Sequence, residues 1–118
     1  MSGADPGRAE VIYKIVVSSL WPTRGEAFDG APVDLADGFI HFSTKAQVAE
    51  TAARHFAGVD DLLLVAVDAT RLGDALKWEA SRGGDLFPHL YGPLSLSAVL
   101  WARPLRLGGD GRHDFSGL

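Results

Sequence analysis

Two short segments of the chain combine a histidine with hydroxyl groups in apolar surroundings. One reads FPHLYGPL at residues 87–94, and the other reads GFIHFST at residues 38–44. Imidazole donates or accepts protons near neutral pH, and a few polar groups on apolar walls are typical of small-molecule sites. The prolines of the first segment restrict its backbone and would hold its side chains in place. The two segments therefore predict where a ligand binds, although they do not specify a reaction.

Period-two spacing suggests how these side chains are presented. On a strand, His41 and Ser43 would share one face and could converge on a ligand. The structural alternative is an interior histidine that orders the following turn, with Thr44 as a helix cap. His89 and Tyr91 are also two residues apart, and they could line a site or pack in a tight turn.

Glu79 is the third candidate, at the end of a predicted short strand. A carboxylate there could bind a ribose hydroxyl or stabilise a developing positive charge. The alternative is a solvated surface glutamate that pairs with Arg82, because acidic side chains are mostly exposed.

Several familiar site patterns are absent from the sequence. The chain has no cysteine, which excludes disulfides, thiolate catalysis and cysteine-type zinc sites. It also lacks the H-E-x-x-H, Walker and G-x-S-x-G patterns. We therefore predict no metal site, and the sequence leaves open whether the protein is an enzyme.

Composition limits the classes of partner. The chain has 118 residues and a net charge of −4, which argues against binding to long nucleic acids because that needs clustered basic residues. The polar N-terminus and the lack of a long apolar run lead us to expect a cytoplasmic protein without a membrane partner. The oligomeric state is not predicted.

Apolar periodicity predicts a single compact α+β domain at residues 11–107, with a disordered tail at 1–10 and a flexible tail at 108–118. Its mixed or split sheet would contain about five or more strands. The segment 23–38 is predicted as a turn-rich connection with at most a short strand, and 81–85 as a mobile loop. The predicted elements are strands at 11–17, 39–43, 62–67, 76–79 and 99–105, and one main helix at 45–57.

Four motifs together resemble a small bacterial family, the domain of unknown function 952. They are Ile12–Ile15, Asp37–Thr44, Trp78–Glu79 and Phe87–Leu94. The resemblance covers about residues 11–107, and the family has no settled activity. It is in turn distantly similar to the ADP-ribosyltransferase-like fold, a split mixed sheet that clamps a nicotinamide dinucleotide.

This resemblance implies roles for three positions. Lys14 would occupy the first-strand position that grips the dinucleotide, the segment 42–44 would supply the middle-strand run, and Glu79 would orient a ribose. The chain departs from the pattern at Lys14, where His or Arg is expected, and at Lys45, where Ser is expected.

The leading hypothesis is one cleft that binds a nucleotide-like ligand, with NAD as the cofactor implied by fold analogy. Glu79 and His41 would be catalytic in a group transfer from a dinucleotide. The alternative is a non-catalytic ligand-binding or protein-interaction module. The predicted ligand-binding residues are Tyr13, Lys14, Ser43, Thr44, Arg82, His89 and Tyr91.

Overall fold

The computed structural model of the chain describes residues 10–118, apart from the side chain of Arg82. Within these residues the chain forms eight β-strands and two α-helices, joined by turns and short 3-10 segments. The strands are β1 (Val11–Val17), β2 (Ala27–Phe28), β3 (Ile40–His41), β4 (Leu62–Asp68), β5 (Leu76–Ser81), β6 (Asp85–Leu90), β7 (Leu94–Ser95) and β8 (Val99–Leu105). The helices are α1 (Pro32–Asp37) and α2 (Val48–His55). The predicted α+β class and single compact domain are confirmed.

The strands are divided among three units. The first sheet has the order β1-β4-β8, the second sheet has the order β3-β6-β5, and β2 pairs with β7. Every pairing among the described strands is antiparallel. The sheet is therefore split rather than mixed.

The first sheet lies between the second sheet and α2. Ile12 and Val16 of β1 belong to an apolar cluster that also contains residues of β3 and β6. Tyr13 and Ile15 belong to a second cluster that contains residues of α2. Because successive side chains of a strand point to opposite faces, β1 contributes to both clusters and separates them.

The backbone that leaves β3 connects the two sheets. Phe42 N donates to Pro88 O at 3.0 Å within the second sheet, and Ser43 exchanges two hydrogen bonds of 2.8 Å with Tyr13 of β1. These consecutive bonds fix β3, and with it His41, relative to the first sheet.

The stretch before β3 contains a helix where the sequence predicts a turn-rich connection. Pro32 occupies the first helical position, where its missing N–H has no helical partner to lose and its φ is already suitable. Asp34 Oδ2 accepts a hydrogen bond from Ala31 N at 2.8 Å, and Gly38 ends the helix with a φ of 87°. The prediction of a turn-rich connection is wrong between Pro32 and Asp37. The proline at the helix start, the acidic Asp34 in its first turn and the glycine after its last residue are the helix signal that sequence analysis missed.

The main helix is shorter than the predicted 45–57. Residues 45–47 form a turn in which Gln47 Oε1 accepts from Thr44 N at 3.0 Å, which is half of the predicted capping box. The helical hydrogen bonds extend to Phe56 N, which donates to Ala52 O. Frayed helix ends differ by a residue or two between definitions, so the difference lies mainly at the N-terminus.

Residues 85–90 form a strand, although the sequence predicts a loop at 81–85 and a rigid segment at 87–94 without a strand. They pair with β5 in a hairpin that is closed by Arg82–Gly84. Pro88 lies in β6 between β3 and β5, a central position from which proline is usually excluded because it cannot donate to the ladder. This proline concealed the strand from sequence analysis.

The predicted N-terminal tail lies, apart from residue 10, outside the described residues. At the other end, Leu107 bridges His113, and Val59 O lies 2.7 Å from His113 Nε2. Phe115 and Leu118 pack against the cluster shared with α2. The flexibility of residues 108–118 stays a prediction. None of the helices in the described chain has the length and apolar character needed to cross a membrane.

Candidate functional site

The register of the second sheet places three basic side chains in one row. His41 of β3 lies opposite His89 of β6, and His89 lies opposite Lys77 of β5. Directly opposed residues of antiparallel strands point to the same face, and the two imidazole centroids are 5.6 Å apart. We call His41, His89 and Lys77 the basic row.

Glu79 connects His89 to Tyr91. Its Oε1 lies 2.8 Å from His89 Nδ1 and accepts from the Tyr91 hydroxyl at 2.7 Å. The carboxylate can only accept, so His89 donates from Nδ1 and is neutral with a lone pair on Nε2, or is doubly protonated. Among the described residues, no group hydrogen-bonds to His89 Nε2 or to Glu79 Oε2. The arrangement is an oriented and largely buried imidazole, 9% exposed, whose Nε2 has no described hydrogen-bond partner.

The hydrogen bonds at Glu79 also set its charge. The bond from Tyr91, followed by the bond from His89, lowers the pKa of the Glu79 carboxyl. The same bond to Glu79 raises the pKa of the Tyr91 hydroxyl. At neutral pH Glu79 is therefore an anion that can accept hydrogen bonds or stabilise positive charge, and it is poorly suited to donate a proton.

Phe39 forms an apolar wall beside these groups. Its ring stacks on His89, with centroids 4.1 Å apart and an interplanar angle of 27°. It also contacts His41 at 4.6 Å and Tyr91 at 5.2 Å. Phe39 therefore holds both imidazoles and the exposed tyrosine in one cluster, which we call the histidine cluster.

Two carboxylates hold His41. Asp34 Oδ1 lies 2.7 Å from His41 Nδ1, and Asp37 Oδ2 lies 2.9 Å from His41 Nε2. Because carboxylates only accept, both ring nitrogens donate when both contacts are hydrogen bonds, and the ring is then an imidazolium. Asp34 is buried, whereas the Asp37 side chain is 48% exposed.

Asp34 also pairs with Lys14 in the interior. Lys14 Nζ lies 2.9 Å from Asp34 Oδ1, and both side chains are at most 5% exposed. Burial would raise the pKa of Asp34, but the His41 hydrogen bond and the Lys14 charge outweigh it and lower that pKa to about 2. Burial lowers the pKa of Lys14, against the opposing effect of Asp34. A buried and paired Lys14 presents no free ammonium to a phosphate, which is the role that the resemblance implies for it.

Tyr13 and Lys14 do not line a common cleft. They are neighbours on β1 and therefore point to opposite faces of the first sheet. The Tyr13 ring lies in the cluster shared with α2, where it contacts Trp101 at a centroid distance of 6.1 Å. The two side chains therefore lie on opposite sides of the first sheet, and their ligand-binding roles stay predictions.

Ser43 and Thr44 lie on the side of α2. Ser43 Oγ is 2.8 Å from Thr51 Oγ1, and Thr44 N donates to Gln47. The strand that carries His41 ends before Ser43, so the two side chains do not converge. The side chain of Arg82 lies outside the described part of the structure. Ligand-binding roles for these three residues stay predictions.

Sequence analysis missed two acidic residues of the site, Asp34 and Asp37. They lie seven and four residues before His41, in the segment read as a connection. This spacing is informative only once α1 is known to bring both side chains to His41. Recognising α1 from the sequence would therefore have identified the two residues.

A cavity of about 550 Å³ lies along β5 and includes Glu79, the hydrogen-bond partner of His89 and Tyr91. It is lined by Gly73, Asp74, Leu76, Lys77, Trp78 and Glu79. Within residues 10–118, no group of three or more His, Asp or Glu side chains is arranged to hold a metal ion. Chemically, the cluster and its neighbours combine an imidazole nitrogen without a described partner, the anionic carboxylate of Glu79, the lysine of the basic row and two aromatic rings.

Comparisons with known proteins place the chain in a family. The model of the family described as "Protein of unknown function (DUF952)" matches residues 16–102. No protein with a curated description matches.

The chain is similar to solved structures of protein CC0527 from Caulobacter crescentus. Its X-ray structure is 50% identical, with a TM-score of 0.84, and the match covers 88% of this chain and 93% of that chain. The solution NMR structure of CC0527 is also 50% identical, with a TM-score of 0.78 and coverage of 88% and 91%. The family match spans most of the sequence, and the chain therefore belongs to the DUF952 family of proteins of unknown function.

Proposed function

We propose that the histidine cluster binds a nucleotide-like ligand, and that the protein transfers a group from a dinucleotide within an ADP-ribosyltransferase-like architecture. One observation carries this proposal. Glu79 Oε1 accepts from both His89 and Tyr91, while Glu79 Oε2 and His89 Nε2 have no hydrogen-bond partner in the described chain. A carboxylate oxygen and an imidazole nitrogen that have no partner in the described chain can each bond a hydroxyl of a polyhydroxyl ligand such as a ribose.

The proposed roles follow from the contacts. Glu79 is anionic, so it accepts a ribose hydroxyl and stabilises an oxocarbenium-like transition state. His89 Nε2 serves as the acid or base, a task that suits it better than His41, whose two nitrogens face carboxylates. The half-exposed ring of Tyr91 provides a stacking surface for a base. NAD is the dinucleotide that the fold analogy suggests, and this step rests on analogy.

The test is a binding and turnover experiment with the whole chain. Calorimetry and thermal denaturation would use adenosine, AMP, ADP-ribose and NAD. A ligand at 100 times its dissociation constant should stabilise the protein by roughly 2.7 kcal/mol. Glu79→Gln should weaken binding, and His89→Asn should do the same while retaining an amide donor towards Glu79.

Glu26→Gln is the matched control, because Glu26 is exposed and has no side-chain hydrogen bond or ion pair within the described chain. It should bind ligand like the wild type. Release of nicotinamide from NAD, followed by chromatography, should be lost in Glu79→Gln. If none of the four compounds stabilises the wild type, the proposal is wrong. Turnover that persists in Glu79→Gln would reject the transferase step alone.

A non-catalytic interaction module is the second candidate. Val33 and Leu35 on α1 are 56% and 66% exposed, and apolar side chains exposed beside a site are typical of contact surfaces. On this hypothesis Glu79→Gln changes neither the ligand affinity nor the self-association of the protein. Replacement of Val33 and Leu35 by serine would instead reduce self-association, measured by light scattering.

A further inference from the structure

We propose that His41 Nε2 binds a phosphoryl group of the ligand, and that the Asp37 carboxylate occupies this binding position until the ligand displaces it. The inference deepens the proposed function, because it assigns the charged part of the same ligand to a named atom. It depends on the difference between the two carboxylates that hold His41.

Asp34 is a permanent partner of His41. Its Oδ1 accepts from His41 N at 3.1 Å and lies 2.7 Å from His41 Nδ1 and 2.9 Å from Lys14 Nζ. Its Oδ2 accepts from Ala31 N, and its side chain is 1% exposed. Removing so many hydrogen bonds from a buried charge is costly, so a ligand cannot replace Asp34.

Asp37 is an exchangeable partner. Its carboxylate makes one contact within the described chain, 2.9 Å from His41 Nε2. About half of the Asp37 side chain and a third of the His41 side chain are exposed. Ion pairs in such exposed positions contribute little to stability. Another anion can therefore take the place of Asp37 at little cost.

The basic row favours a phosphoryl group over a single carboxylate. His41, His89 and Lys77 lie side by side across three strands, and His89 Nε2 and Lys77 Nζ have no hydrogen-bond partner among the described residues. A phosphoryl group has several oxygens, each able to accept a bond of about 2.8 Å from a cationic nitrogen. One oxygen can thus bond His41 Nε2 while the others face the rest of the basic row, whose nearest ring centroid is 5.6 Å from that of His41. Glu79 and Asp37 are the anions that oppose it, and only Asp37 must move.

The experiment measures binding of inorganic phosphate and pyrophosphate to the full chain. Asp37→Asn should raise the affinity about 5- to 10-fold, because it removes the competing carboxylate (about 1 kcal/mol at 1.4 kcal/mol per tenfold change). Asp60→Asn makes the same charge change on the exposed loop before β4 and is the matched control, for which a change below twofold is expected. The His41 ring nitrogen signals, followed by NMR, should shift on addition of phosphate.

His41→Asn retains an amide donor near Asp34 but removes Nε2. Combined with Asp37→Asn, it should abolish the gain in affinity. Equal affinities in Asp37→Asn and Asp60→Asn would overturn the inference, as would a gain that survives His41→Asn. If adenosine binding requires Glu79 while Asp37→Asn leaves the affinity for phosphate unchanged, this inference fails and the proposed function stands. If Asp37→Asn raises the affinity for phosphate but no nucleotide binds more tightly than phosphate, the proposed function fails and the phosphate site at His41 stands.

Discussion

His41 and His89 lie directly opposite each other on β3 and β6, but their ring nitrogens have different partners. His41 faces a carboxylate at each nitrogen, whereas His89 faces one at Nδ1 and has an available Nε2 in the described structure. The two neighbouring imidazoles thus differ in how many of their ring nitrogens have a partner in the described chain. The following predictions test the contacts that create this difference.

The buried pair of Lys14 and Asp34 should be sensitive to removal of the acid. Asp34→Asn leaves Lys14 charged in the interior, and breaking such a pair costs about 3–5 kcal/mol. Urea denaturation at pH 7 should show this loss in the free energy of unfolding. A loss below about 1 kcal/mol would mean that the pair is not buried in solution.

Two control variants accompany that measurement, one in the same pair and one in an exposed pair. The double variant Lys14→Met/Asp34→Leu removes both charges and should recover much of the loss, since apolar replacements of a buried pair are often neutral or stabilising. Arg54→Ala removes an exposed helical pair with Glu50, and its cost should be at most about 0.5 kcal/mol.

Acid should destabilise the protein through Asp34. Its pKa of about 2 in the folded chain is below the ordinary value of 3.8. A depressed carboxyl pKa stabilises the folded state above the unfolded value, and the contribution is lost as the pH falls from 3.8 towards 2. The loss should be about 2 kcal/mol. Between pH 5 and 2, the free energy of unfolding should depend less on pH for Asp34→Asn than for the wild type. An equal pH dependence of the two proteins would contradict the assignment.

The sequence predicted the parts of the fold that depend on local pattern. The runs of β-branched and aliphatic residues at 11–17 and 62–67 predicted strands that the structure contains, because a strand buried on both faces needs apolar side chains throughout. The strand predicted at 39–43 is also present, although only Ile40 and His41 of it belong to β3. The strand β6 was hidden by Pro88, whose exclusion from central strands is a tendency that tertiary pairing can override.

The site was less predictable, because it depends on register and burial. His41, His89 and Glu79 were identified by residue type, but only the pairing of β5 with β6 brings Glu79 to His89. Lys14 was read as a ligand contact, since nothing in its neighbours along the chain indicates that Asp34 lies against it 20 residues away.

Glu79 should control the acidity of Tyr91. The hydrogen bond to Glu79 raises the pKa of the Tyr91 hydroxyl, because ionisation would break the bond and place two anions together. Glu79→Gln should therefore lower this pKa towards the ordinary value of 10. Carbon NMR of the two tyrosines during an alkaline titration would follow it, with Tyr91→Phe to assign the signal. A Tyr91 pKa that does not change would exclude the hydrogen bond.

Gly38 should be needed to join α1 to the strand that carries His41. Its φ of 87° lies in the left-handed region, and a Cβ there would meet no atom within 4 Å. The cost of Gly38→Ala is therefore a backbone cost of about 1–2 kcal/mol, measurable by urea denaturation. Gly109→Ala is the control, because Gly109 has no left-handed φ and equally open surroundings. Equal stability of the two alanine variants would show that α1 does not end in a left-handed turn, and the position of Asp37 beside His41 would then lose its structural basis.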